Sequence, residues 1–371
     1  MTSDGGGKVA TESRVGGGTG RRLVLAAAAV VTLLLFLFAV RLLGAATEAA
    51  APTLRTGFRS LVVGDAGALG ASWLGTYLVT NGSVVEALSL SLLSADLVTG
   101  SQAFLMVAGS RLGAAAIVLL IGGLEYLRKP RFSLRRATGL GILTFLVTLS
   151  VYLPATLLGY LALPALRPRL AGVTDTLGIE FQPLTVFAGL VEGVLSVTGP
   201  LLGFGLALVL LFACIDLFDR LLSRVHTDTL RNQFFRRLRQ RWVSFGIGLL
   251  VTSLTTSVAF SLGVIVPLYN REYVTRREIV RNIVGANVVT LVDTQIVAVV
   301  LGIEPGIAAV TTLIGTGLLV TLVVLAGFDP YYDGVTAVQD RLDDDRRLFG
   351  VFLAVLVAVP AALVGLAVLL P

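Results

Sequence analysis

Apolar segments of about 20 residues, separated by short polar or basic stretches, make up most of the chain beyond residue 20. An α-helix needs roughly 20 such residues to cross a bilayer. Seven segments fit that length, and we predict their boundaries at approximately 23–45, 102–127, 137–163, 200–221, 279–303, 306–327 and 348–370. The pattern therefore predicts an all-α polytopic membrane protein with about seven transmembrane helices.

Two further apolar stretches, at 61–97 and 242–270, do not fit a single crossing, and the first is interrupted at Asn81-Gly82. We interpret both as re-entrant hairpins, which enter and leave the membrane on one side. Non-helical backbone at membrane depth survives only where protein or a water-filled cavity satisfies it. We therefore expect the two hairpin tips to line a cavity. Residues 184–197, before Gly199-Pro200, are too short to span and are interpreted as interfacial or half-inserted.

Residues 76–113 and 252–289 repeat one layout at a constant separation of 176 residues. Each copy has an apolar run, a small polar cluster, a second apolar run, an acid, the dipeptide Val-Thr and a motif opened by Gly109 or Gly285. Paired polar interruptions at corresponding positions of two halves indicate a transporter binding site. With the two hairpins entering from opposite faces, the layout predicts an inverted-topology repeat.

Composition supports the membrane assignment and orients the chain. Only 14% of the residues are charged and 55% are apolar, whereas soluble proteins carry about 25% charge. Arginine-rich stretches follow the predicted helices at 102–127 and 200–221 on the same side, as is typical of cytoplasmic loops. We therefore expect a cytoplasmic N-terminus, a plasma-membrane location, the lipid bilayer as a partner and no nucleic-acid binding. The acidic run 340–345 is interpreted as a solvated loop.

The predicted organisation has four parts: a disordered tail at 1–20, a first membrane repeat at 21–170, a second at 171–345 and a C-terminal transmembrane helix at 346–371. The chain has one cysteine, Cys214, and one histidine, His226, which excludes a disulfide framework and a His/Cys metal site. Neither a metalloprotease motif nor a catalytic Ser/His set is present, so we expect no enzymatic activity.

These segments resemble the sodium/phosphate cotransporter family, whose repeats carry QSSS at a hairpin tip and then a helix with GANIGT or a close variant. Residues 252–268 (TSLTTSVAFSLGVIVPL) have the length and framing of the family's second-copy segment. Residues 285–290 (GANVVT) keep the first three residues and the last Thr of the helix motif, and 109–114 (GSRLGA) keep its glycines. The resemblance covers roughly 55–330.

The resemblance implies symport of inorganic phosphate or a related oxyanion with Na⁺ as the coupling ion. The candidate substrate-binding residues are Thr80, Asn81, Gly82, Ser83, Arg111, Thr255, Thr256, Ser257 and Asn287. The candidate ligands for Na⁺ or another coupling ion are Glu86, Asn287, Thr290 and Asp293. A half-helix after a hairpin tip offers unpaired N–H groups to an anion, and hydroxyl oxygens can ligate Na⁺.

The sequence also departs from the family, because neither tip keeps the Gln and the first copy has Arg111 where the second has Asn287. An intramembrane Arg costs about 2.5–3.5 kcal/mol on insertion scales. Arg111 could bind phosphate bidentately, or it could form an ion pair with one of three acids, Glu86, Asp293 or Glu192. Asp293 could instead ligate Na⁺ or carry a proton. A proton-coupled carrier, another oxyanion and a non-transporting relative remain alternatives, and homo-oligomerisation stays open.

Overall fold

The structure is a computed structural model that describes residues 17–128, 134–176, 184–223 and 275–369. Within these ranges the regular structure is entirely helical. The helices are α1 (Gly17–Leu61), α2 (Gly64–Val79), α3 (Gly82–Ser94), α4 (Gly100–Arg128), α5 (Leu134–Thr176), α6 (Ala188–Ser223), α7 (Arg276–Val289), α8 (Val292–Leu301), α9 (Glu304–Ala326), α10 (Phe328–Asp344) and α11 (Arg346–Leu369). A short 3₁₀ turn, Thr185–Phe187, precedes α6.

Six stretches within the described ranges are long and apolar enough to cross a membrane: Val24–Phe58, Gly139–Gly172, Thr185–Phe218, Arg276–Leu301, Glu304–Ala326 and Arg346–Ala367. This confirms the all-α membrane class. The outward faces of α1, α6 and α11 are rich in exposed Leu and Val, as lipid-facing helices are. The disordered tail was predicted at 1–20; residues 1–16 lie outside the described ranges, and α1 begins at Gly17, within that predicted tail.

Two helices continue beyond their predicted ends. The first helix continues to Leu61 rather than ending near residue 45. The helix predicted at 137–163 continues as α5 to Thr176, and Pro154, Pro164 and Pro168 all lie inside it. Prolines are tolerated in membrane helices because neighbouring groups satisfy the carbonyls that they free. The rule that proline ends a helix comes from soluble proteins, and it therefore predicts an end for α5 that is too early.

The acidic run near residue 340 is not the solvated loop predicted from its charges. It belongs to α10, an amphipathic helix that packs against α5 and the start of α7. Arg276 donates to Asp340 at 3.1 Å and also to Gln339, while Arg277 pairs with Asp329. The charges of α10 are therefore partly used for tertiary contacts rather than for hydration.

Three interruptions divide the helical backbone at or near its apolar segments. The first separates α2 from α3 at Thr80 and Asn81, where Thr80 adopts a left-handed conformation (φ 57°). The second is a kink in α6 at Gly199 (φ 72°, ψ 172°). Both coincide with predicted breaks. The third, at Thr290 and Leu291 between α7 and α8, splits a segment that was predicted to be one continuous helix.

Close packing shows that α2 runs alongside α4 in the same direction. Gly109 of α4 contacts Ser72, and Gly113, one turn further on, contacts Thr76. A Cβ atom at Gly113 would lie 2.7 Å from the Thr76 Cβ atom, so glycine is needed for this approach. The two helices therefore share a small-residue seam of the kind that membrane helices use.

α3 runs along the same helix in the opposite direction. Gly82 at its start faces Ala114, and Glu86 one turn later faces Ser110. The turn between α2 and α3 therefore lies at the level of Ala114, near the middle of the 29-residue α4. By helix geometry this level is about 21 Å from the start of α4.

Contacts between helix termini define the two ends of the molecule. At one end Gly100 lies against Pro305 and Arg167, which brings the starts of α4 and α9 near the last part of α5. At the other end the Gln339 side chain donates to the Gly139 carbonyl at 2.7 Å. The α2–α3 turn and the α7–α8 break both lie between these ends.

Local structure reproduces the repeat at the beginning of α4 and of α7. Thr99 and Gln102 form a capping box, in which the Thr99 N–H donates to the Gln102 side chain at 2.8 Å. Thr275 and Glu278 form the same capping box, with the corresponding bond also at 2.8 Å. Both pairs are 176 residues apart. The Val-Thr dipeptides of the repeat are therefore helix starts.

Candidate functional site

A buried charged cluster lies where the α2–α3 turn meets the α7–α8 break. Its three ionisable side chains are Glu86 on α3, Arg111 on α4 and Asp293 on α8. They are exposed by only 0%, 6% and 9%, respectively. Buried ionisable residues inside a membrane are costly and mark functional sites by default. We call these three residues the charged cluster.

Arg111 pairs with Glu86. Its Nε atom donates to Glu86 Oε1, its Nη2 atom forms an ion pair with the same oxygen, and its Nη1 atom donates to the Thr290 carbonyl at 3.2 Å. The Ser110 hydroxyl donates to the same Glu86 oxygen at 2.7 Å, and the Thr294 hydroxyl donates to Oε2. Three acids were proposed from the sequence as partners of Arg111. In the structure Arg111 pairs with Glu86, and Glu192 is exposed on α6.

Asp293 is held by neutral donors. The Ser83 hydroxyl donates to Asp293 Oδ2 at 2.5 Å, and the Thr294 N–H donates to Oδ1 at 2.8 Å. Ser83 is the second residue of α3 and Asp293 is the second residue of α8. The N-termini of these two short helices therefore meet at the cluster, with their partially positive ends near the carboxylates.

Asn287, on α7, is held from α5. The Tyr152 hydroxyl donates to the Asn287 carbonyl at 2.6 Å, and Thr148 donates to the side-chain oxygen at 3.2 Å. Within the described part of the chain, the buried Asn287 amide nitrogen has no hydrogen-bond partner. The Thr290 hydroxyl donates to the Ala286 carbonyl at 2.8 Å. Thr290 therefore contacts the cluster through its own carbonyl, which accepts from Arg111.

The turn between α2 and α3 has the geometry of a capped helix start. The Asn81 side chain accepts from the Val84 N–H at 3.2 Å, which satisfies one of the free donors of α3. Gly82 is buried, and a Cβ atom there would lie 3.3 Å from Arg111 Nη2. Thr80 is exposed and does not contribute to the cluster.

The candidate residues named from the sequence therefore differ in their relation to the cluster. Ser83, Glu86, Arg111, Thr290 and Asp293 converge on the cluster, and Gly82 and Asn287 border it. Asn81 acts as a cap, and Thr80 points away. Thr255, Thr256 and Ser257, together with the predicted hairpin 242–270, lie outside the described residues.

Four contributors were missed from the sequence: Ser110, Thr148, Tyr152 and Thr294. Ser110 and Thr294 each adjoin a charged residue in the chain, Arg111 and Asp293, so a buried charge next to a hydroxyl residue was an available signal. Thr148 and Tyr152 lie one turn apart in α5, which also has Thr144, Ser150 and Thr156 in its apolar part. That spacing is too common in membrane helices to single them out.

The charge of the cluster is unbalanced. Two carboxylates face one guanidinium, which gives a formal charge of −1 when all three are ionised. Within the described residues, no group of three or more His, Cys, Asp and Glu side chains forms a metal site. The arrangement is therefore suited to a monovalent cation or a proton rather than to a resident transition metal.

Comparisons with family models, curated proteins and solved structures give no match to this chain.

Proposed function

We propose that this chain is a secondary active transporter that moves an anionic solute, with inorganic phosphate as the first candidate, in symport with a cation. The observation that carries the proposal is the charged cluster at the junction of two helix interruptions. In transporters built from repeats, substrate and coupling-ion sites lie near the membrane midplane, at discontinuous helices. The α2–α3 turn and the α7–α8 break have that character.

α2 packs on α4 in the same direction and α3 in the opposite direction. This arrangement supports the proposal that α2 and α3 form a re-entrant hairpin. Both helices are shorter than a membrane span, with 16 and 13 residues, and their turn lies midway along α4. The chain would then enter and leave on the side where α4 begins. The capping boxes at Thr99 and Thr275 support a duplicated unit, and the inverted relation of its copies is part of the proposal.

The cluster itself favours a cation over phosphate, because its net charge is negative. Arg111 is committed to Glu86 and to the Thr290 carbonyl, and we therefore assign it to charge balance rather than to substrate binding. The phosphate assignment rests on the family resemblance of the two tips. The substrate would be bound by backbone N–H groups and hydroxyls at 80–83 and 255–257.

Uptake of radiolabelled phosphate into proteoliposomes tests the proposal. Gradients of Na⁺, of protons, of both or of neither would be imposed in parallel, with sulfate and arsenate as competing oxyanions. We expect uptake to need a cation gradient and to fall at least about tenfold in Glu86→Gln, since the loss of one buried charge partner costs several kcal/mol. Glu48→Gln is the matched control, because Glu48 is exposed and accepts a hydrogen bond from Ser94, at the end of α3 away from the cluster.

Uptake that is absent under every gradient, together with absent phosphate exchange across the membrane, would overturn the phosphate assignment. If the competing oxyanions were also neither transported nor bound, the transport proposal would fall and a non-transporting relative would remain.

A further inference from the structure

The charged cluster has one more negative charge than it can balance internally. Glu86, Arg111 and Asp293 are all buried, and an unpaired charge in a low-dielectric interior is strongly unfavourable. The segment 242–270, predicted from the sequence as the second hairpin and outside the described residues, contains no Asp, Glu, Lys, Arg or His. However it packs, it brings no formal counter-charge to the cluster.

The two carboxylates are not equivalent. Glu86 Oε1 accepts a hydrogen bond from Arg111 Nε and forms an ion pair with Nη2, so its charge is directly neutralised. Among the described residues, the hydrogen-bond donors to Asp293 are neutral: the Ser83 hydroxyl, the Thr294 N–H and the Thr294 hydroxyl. The excess charge is therefore concentrated on Asp293.

We propose that the cluster takes up one proton and that Asp293 carries it. This inference deepens the proposed function, on which it rests for its role in coupling. A hydronium ion transfers its proton to a carboxylate oxygen of Asp293, which leaves one water molecule and a neutral carboxylic acid. Release to water on the other side of the membrane reverses the step. The cluster is neutral with the proton bound and has a charge of −1 without it.

The atoms around Asp293 suit a proton better than a sodium ion. Sodium needs several oxygen lone pairs directed at one point. Here the carboxylate is met by hydrogen-bond donors, with Ser83 on Oδ2 and the Thr294 N–H on Oδ1. A proton adds to one oxygen and requires no new cavity, whereas sodium would require these donors to turn away.

The titratable groups that interact with the cluster come from three helices besides α8. Glu86 of α3, Arg111 of α4 and Tyr152 of α5 are electrostatically coupled to Asp293. Helices α1 and α9 also pack against α8. The charged side chains described on α1 and α9 are Arg41, Glu48, Arg55 and Glu304. Glu48 bonds to Ser94 at the far end of α3, and Glu304 is exposed at the start of α9.

Protonation would act on the contact between the two halves of the molecule. The Ser83–Asp293 bond joins the start of α3 to the start of α8. A hydrogen bond to an ionised carboxylate is roughly twice as strong as one between neutral groups. Protonation of Asp293 therefore weakens the Ser83–Asp293 hydrogen bond.

Infrared difference spectroscopy of the full-length protein in lipid bilayers tests the inference without any substrate. Buffer is exchanged from alkaline to acidic, and the carboxylic-acid C=O band is recorded. We expect a band from one buried carboxyl per chain that shifts when aspartate carries ¹³C at its side-chain carboxyl. Asp293→Asn should remove this band, and Asp65→Asn, outside the cluster, should leave it unchanged.

Two further variants keep the test informative if Asp293→Asn folds poorly. In Asp293→Glu we expect the band to return and to shift with ¹³C-glutamate rather than with ¹³C-aspartate. In Glu86→Gln the cluster is already neutral with Asp293 ionised, so the band should be lost over the same buffer range. Retention of the full band in Glu86→Gln would contradict the charge argument.

Three results would overturn the inference: no such band in the wild type, a band that shifts only with ¹³C-glutamate, or a band that disappears when choline is replaced by Na⁺ at the same pH. The last would indicate a sodium site. Because no phosphate is present, the band can appear even if phosphate uptake fails, and uptake can succeed without the band. The two failures are therefore distinguishable.

Discussion

At the scale of single residues, the Glu86–Arg111 pair dominates the site. Both side chains are buried, and the two Glu86 oxygens accept hydrogen bonds from Arg111, Ser110 and Thr294. A buried ion pair gains little over an apolar pair, but the removal of one partner leaves an uncompensated charge. The pair is therefore a strong constraint on which single substitutions the protein tolerates.

A mutant cycle at this pair should show large coupling. Arg111→Met should lower the free energy of unfolding by about 3–5 kcal/mol, because Glu86 is left unpaired. The double variant Glu86→Leu/Arg111→Met should recover most of that loss. The measurement is equilibrium unfolding by SDS in mixed micelles.

The control for this cycle is the exposed pair Arg220–Asp216 on α6, whose Nη2–Oδ2 distance is 2.7 Å. Arg220→Met should cost no more than about 1 kcal/mol, because exposed pairs contribute little. Additive effects of the Glu86 and Arg111 substitutions would mean that the pair does not form in the membrane.

At the scale of helices, the position of the α2–α3 turn depends on how closely α2 approaches α4. Gly109 and Gly113 remove two side chains from the contact face, and the backbone of α2 fills the space. Small residues at such seams allow close packing of membrane helices. Because α3 follows directly after α2, this seam also determines where Ser83 and Glu86 lie.

Gly109→Ala should therefore destabilise the protein, since the added methyl group would overlap the Leu69 carbonyl and the Ser72 hydroxyl. Overpacking of this kind typically costs about 1–3 kcal/mol. Gly75→Ala is the matched control in α2, because nothing lies within 4 Å of its added Cβ atom. The measurement is the fraction of monodisperse protein that remains after heating in detergent, compared between the two variants. Equal losses in both variants would contradict close packing of α2 on α4 at Gly109.

At the scale of the whole molecule, the ends of the helices sort into two groups. The starts of α4 and α9 lie together, and the starts of α5 and α7 are linked through α10 at the other end. The arginine-rich stretches of the sequence adjoin the second group. The positive-inside tendency would place that end in the cytoplasm.

Cysteine labelling tests this orientation. The single native cysteine, Cys214, is buried in α6, so a membrane-impermeant maleimide should react with introduced sites instead. In intact cells Glu304→Cys, at the start of α9, should react, whereas Asp344→Cys, at the end of α10, should react only after the cells are opened. Both positions are exposed in the protein. The reverse pattern would invert the topology.

Much of this architecture could be predicted from the sequence. Apolar length predicted the membrane helices, because a bilayer imposes a minimum span on any helix that crosses it. The Asn81-Gly82 and Gly199-Pro200 breaks were also visible, since the local conformational preferences of these residues interrupt helices. The break at Thr290 and Leu291 was not, because neither residue disfavours a helix strongly enough to show it.

The membrane class, most helix positions and the placing of Glu86, Arg111 and Asp293 within the membrane were predicted from the sequence alone. Which of these three side chains pair depends on how the helices pack. Glu86 and Asp293 are 207 residues apart in the chain, and no local pattern encodes which carboxylate receives Arg111. Which carboxylate pairs with Arg111 depends on where α3 packs along α4 and on where α8 begins. The Coulomb energy of two charges varies inversely with their distance and is large in a low-dielectric interior, so the carboxylate in direct contact with Arg111 gains most. The packing therefore leaves Glu86 neutralised and Asp293 with the excess charge.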